Sequence, residues 1–121
     1  MVLIGVAFGT GAVMAAQGSL YPAAQCAAFW LGYEDYAQVS PYLDTDADAA
    51  TAAAAFRKVA LRLGGAESAV DAYIAEQRPL MALLMEGYIY GNDTQSREVF
   101  EDLSAICQEF ADRHPETRDL K

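Results

Sequence analysis

Cys26 and Cys107, the two cysteines of the chain, each fall inside a run of apolar residues spaced by three and four, and this placement constrains the fold more than any other feature. Cys26, Trp30, Tyr33 and Ala37, flanked by Phe29 and Tyr36, form one stripe of a helix that runs from Pro22 to about Gln38. Val99, Phe100, Leu103, Ile106, Cys107 and Phe110 form another on a final helix, with Glu98, Glu101, Asp102, Glu109 and Asp112 on its opposite side. If the two helices are antiparallel neighbours, their thiols meet. In an oxidising compartment a bond closing so long a loop contributes on the order of 4 kcal/mol by the chain-entropy argument, a large share of a small domain's stability. No C-x-x-C is present, so the bond is read as structural rather than redox-active. The alternative is a pair of buried free thiols, since cysteine packs as a small hydrophobe.

Between the cysteines the pattern stays helical. Val39-Ser40-Pro41 ends the first helix, because a proline pushes the residue before it out of the α region. Asp44, Asp46 and Asp48 then supply carboxylates to the free N–H groups of a second helix that begins near Asp46 to Asp48. That helix buries Phe56, Val59, Ala60 and Leu63 and stops at Gly64-Gly65. A third starts around Ala66 and buries Ala69, Val70, Tyr73 and Ile74; at Pro79 it either kinks or gives way to a new helix. Leu80 to Tyr90 carries one charge, Glu86, and a helix apolar nearly all round is expected at the centre of a bundle. Gly91-Asn92-Asp93 turns the chain and caps the last helix, which His114-Pro115 ends near Arg113. No segment alternates as a strand. The fold class is therefore all-α, a small up-and-down bundle of four or five helices closed by one disulfide.

The N-terminus differs from the rest. No charge occurs from Met1 to Tyr33, and Met1 to Ala16 is almost wholly apolar. That run matches the apolar part of a secretory signal and falls short of the roughly 20 residues that cross a bilayer. Val13 and Ala15 fit the small-residue positions of a signal-peptidase site, which puts the mature start at Ala16 or Gln17. No Lys or Arg precedes the run, as a signal would have; the rivals are a retained anchor helix with Gly5-x-x-x-Gly9 as its contact face and a buried core helix. The expected organisation is a signal peptide or anchor over 1–15, a helical bundle over 16–113 and a loose tail over 114–121. The periplasm or the cell exterior is the expected location, with membrane attachment only if residues 1–16 are retained.

Composition excludes some partners. The 121 residues include 54% apolar ones, enough for one core, and carry 8 basic against 17 acidic side chains for a net charge of -9. Such a surface repels phosphate backbones and anionic lipid headgroups, so nucleic acid is not an expected partner. No cofactor and no metal are expected. One histidine and two distant cysteines make no zinc set, and Asp44-x-Asp46-x-Asp48 has Ala49 and Ala55 where a calcium loop needs Gly and Glu. No catalytic residues are assigned: His114 lies beside a proline near the chain end, and no Ser occupies a G-x-S-x-G elbow. Adjacent carboxylates such as Glu34/Asp35 diverge by about 100° on a helix.

The chain is therefore read as a non-enzyme, an exported binding or structural protein that meets another protein of the cell envelope. Arg78, Tyr88 and Tyr90 are the first contact candidates, with Trp30 and Tyr33 second, because amphipathic aromatics suit adaptable contacts. A short exported helical domain with one cysteine near each end is similar in outline to the small acid-stress chaperones of bacterial periplasms, with no motif in common. That outline implies an acid-responsive alternative. Protonating all the carboxylates and the histidine would carry the charge from -9 to about +9, and self-repulsion would loosen the bundle. An accessory subunit of a membrane complex and an immunity-like inhibitor of a secreted toxin fit the same size and charge.

Overall fold

The computed structural model describes residues 19–41, 43, 44 and 47–120. The expected signal or anchor, with Gly5, Gly9 and the cleavage positions, lies outside the described residues, as does Asp46. Among those described, a kinked helical lead-in, Ser19–Ala24, passes into α1, Gln25–Val39. It is followed by α2, Ala47–Arg62; α3, Glu67–Ile89; α4, Thr94–Asp112; and a short α5, Pro115–Arg118. No strand occurs among the described residues.

The caps follow from local chemistry. Gly64 takes a φ of +101°, and Gly65 N–H donates to Ala60 O at 3.1 Å, so α2 ends in a left-handed turn open to glycine. Asp93 caps α4 by accepting from Ser96 N–H at 3.2 Å. Pro79 lies inside α3, which runs through it as one helix. The carbonyl that its missing N–H leaves free belongs to Ala75, an exposed position where water can serve instead.

The first half of α1 is the hub. Cys26, Ala27, Ala28 and Phe29, four successive residues pointing all around the helix, are each 3% exposed or less. Alanines at 23, 24, 27 and 28 let α2, α3 and α4 approach from several sides. This corrects the expectation that Leu80 to Tyr90 would be central: Met81 and Met85 face the core, while Leu80, Leu83 and Tyr90 are 49%, 62% and 64% exposed. The core-facing stripe of α3 is Val70, Ile74, Met81 and Met85, and Ala69 is exposed.

α1 and α3 run in the same direction. Tyr73 Oη donates to Gln25 Oε1 at 2.8 Å near the start of α1, and Arg78 meets Asp35 further along both. The Gln25 amide also reaches Met81 Sδ at 3.5 Å, so this buried polar side chain is satisfied at both ends. α4 is antiparallel to α1, and the Cys26–Cys107 disulfide joins them across 81 positions, with their Cα atoms 5.7 Å apart. Arg57 of α2 holds α3 through Asp71 at 2.7 Å and Glu67 at 2.9 Å.

The expected loose tail over 114–121 is corrected for its described part. Thr117 of α5 is buried at 5% exposure, and its Oγ1 donates to Ala111 O at 2.8 Å. Glu116 accepts two hydrogen bonds from Arg62, at 2.6 and 2.9 Å, which clasps α5 to α2. Pro115 at the first helical position and Glu116 in the first turn start α5 despite its shortness.

Candidate interaction surface

The C-terminal halves of α1 and α3 part to leave an open groove of about 530 Å³. At Gly32 a side chain would meet the Met81 Cβ and the backbone of Arg78 and Ala82, so the two helices touch at this level. Above the crossing, Arg78 clamps Asp35 with Nε–H and Nη2–H donated at 2.6 and 2.8 Å. Asp35 holds the Arg78 guanidinium more firmly charged than usual. Tyr36 and Val39 of α1 and Pro79, Ala82, Leu83 and Glu86 of α3 line it, and of these Tyr36 is buried. Val39 is 78% exposed, and together with Leu83 it presents aliphatic surface to solvent.

Three of the five expected contact residues belong to one aromatic chain elsewhere on the bundle. Tyr88 stacks on Phe100 with ring centres 4.4 Å apart, and Phe100 packs on Phe29 at 5.5 Å. Phe29 meets Trp30 edge-on at 5.7 Å, and Trp30 meets Tyr33 at 5.9 Å. Trp30, Tyr33 and Tyr88 are half-buried, so each is both packing and surface. Arg78 is engaged by Asp35 at the groove, and Tyr90 ends α3 as an exposed ring. Val39, Pro79 and Leu83 were not among the expected contact residues. The proline after Arg78 was the signal, but its neighbours read as core because the sequence does not show which side of an apolar helix goes uncovered.

A second concavity lies beneath α5. Phe29 and Trp30 of α1, Phe56 of α2, and Cys107 and Ala111 of α4 surround a space of about 260 Å³ under Thr117 and Leu120. His114 sits at the edge of this roof, its ring 4.3 Å from that of Phe110 and its Nδ1 2.8 Å from Arg62 Nη2. The guanidinium can only donate, so Nδ1 accepts and the imidazole is neutral. Burial, and after it the charge of Arg62, pushes the His114 pKa down.

Among the described residues no group of three His, Cys, Asp or Glu side chains is placed to hold a metal ion. Nor is any described helix long and apolar enough to cross a membrane. No known protein family matches this chain, and neither does any curated protein or solved structure.

Proposed function

We propose that this chain is an exported binding protein that works by contact with another protein of the cell envelope, through the groove between α1 and α3. The observation that carries this reading is the pair Val39 and Leu83, exposed at 78% and 62% and both lining one groove. Burying two such side chains on a partner gains about 1.5–3 kcal/mol each. The Arg78–Asp35 pair fixes the groove's edge and offers charge to a polar rim. Export is supported by the disulfide, a bond that persists in oxidising compartments.

The test is affinity capture from the native host's envelope with the full chain and with Val39→Asp and Leu83→Asp. A specific partner held by the parent chain and lost from both variants, each with unchanged helicity, is the expected result. Retention of that partner by both variants would remove the groove from the account.

The clasp on α5 favours acid-responsive chaperoning as a second reading, because Glu116 and His114 are both held in their deprotonated forms. It requires suppression of client aggregation near pH 2 to 3 and none near pH 7; inactivity at both excludes it.

A further inference from the structure

We propose that the chamber beneath the C-terminal segment is a binding site for one small uncharged molecule, aromatic or short-chain aliphatic and bearing a hydroxyl. It lies apart from the α1/α3 groove, so it stands or falls independently of the proposed function. Four elements converge on it, with aromatic walls from Phe29, Trp30 and Phe56 and a roof from Leu120. Sites between the helices of a bundle are of this kind, mostly apolar with a few polar groups that fix orientation.

Three features define the ligand. The space is kept open by short side chains, Ala52 on α2 and Ala111 on α4, where a leucine would have closed it. An apolar cavity of about 150 Å³ holds benzene, so one of about 260 Å³ takes roughly ten heavy atoms. Among the described residues no charged side chain lines the chamber, so an ionic ligand would find no charge partner in its walls. Ser104 and Gln108, one turn apart on α4, add a hydroxyl and an amide to one wall, which suits a ligand hydroxyl. The roof is held by the Arg62–Glu116 clasp rather than by filling the space below it.

Trp30 is the only tryptophan of the chain and forms part of the wall, so its emission reports occupancy. Bromine quenches indole fluorescence on contact, and the probes are 4-bromobenzyl alcohol and 6-bromohexan-1-ol, both neutral. With the full chain we expect saturable quenching by at least one of them, which also decides between an aromatic and an aliphatic ligand. Ala52→Leu and Ala111→Phe fill the chamber from two helices and are each expected to weaken binding at least about tenfold. Because either substitution can disturb the bundle, NOEs from the bound probe to Phe56 and Leu120 of the unmodified chain give an independent reading. Quenching that grows linearly with both probes overturns the proposal. So does saturation undiminished in both folded variants, or NOEs to Val39 and Leu83 instead.

Discussion

Gly32 of α1 lies against Met81 of α3 with no space for a side chain between the helices. A methyl at Gly32 would stand 2.8 Å from the Ala82 nitrogen and 2.9 Å from the Arg78 carbonyl oxygen, backbone atoms that cannot rotate away. Gly32→Ala would gain roughly 1 kcal/mol of helix propensity, but overpacking costs about 1–3 kcal/mol, and the rigid neighbours place this site toward the upper end. The expected net loss is about 1–2 kcal/mol by urea unfolding. A gain in stability would mean that the two helices are not in contact here.

Met85 and Leu83 are two residues apart on α3 and should respond very unequally to truncation. Met85 is 0% exposed, and Met85→Ala is expected to cost about 2–5 kcal/mol through the cavity it leaves. Leu83, at 62% exposure, should change stability by no more than about 0.5 kcal/mol when replaced by alanine. Thermal unfolding of the two variants checks the pair, and equal losses would mean that the groove wall is part of the core.

The clasp on α5 should loosen in acid in two steps. Hydrogen bonds from Arg62 pull the Glu116 carboxyl down to about 2 from its ordinary 4.5, and burial holds His114 below its ordinary 6.5. Both groups are therefore favoured deprotonated in the fold, and their contribution is complete above pH 6.5. As pH falls below 6.5, the unfolded chain takes up the histidine proton before the folded one does, and the first loss follows. The second opens below 4.5 and is complete once pH has fallen through about 2. Amide exchange at Thr117 and Arg118, corrected for its intrinsic pH dependence, should accelerate in both windows, and Glu116→Gln should abolish the lower step. Protection of these amides that is unchanged from pH 7 to 2 would contradict the clasp.

Much of this fold was legible because local chemistry and periodicity agreed. Phe56, Val59 and Ala60 form the buried face of α2, Gly64 stops it, and Asp93 caps α4, each for a reason visible within a few residues. What escaped was tertiary. Leu80 and Leu83 look as buried as Met81 and Met85 in a sequence, and only the placement of the neighbouring helices separates them. Thr117 carries no apolar signal, and its burial depends on Arg62, more than fifty positions away, meeting Glu116. For the candidate contacts, Arg78 drew notice beside a proline, but its engagement by Asp35 requires α1 and α3 to run in the same direction.

The bond between Cys26 and Cys107 ties α1 to α4 and is compatible with an oxidising location. Its most direct test is to count free thiols in protein taken from its native compartment, under denaturing and non-reducing conditions. The account predicts none per chain, and a stability loss on the order of 4 kcal/mol when the bond is reduced. Two reactive thiols per chain would contradict it.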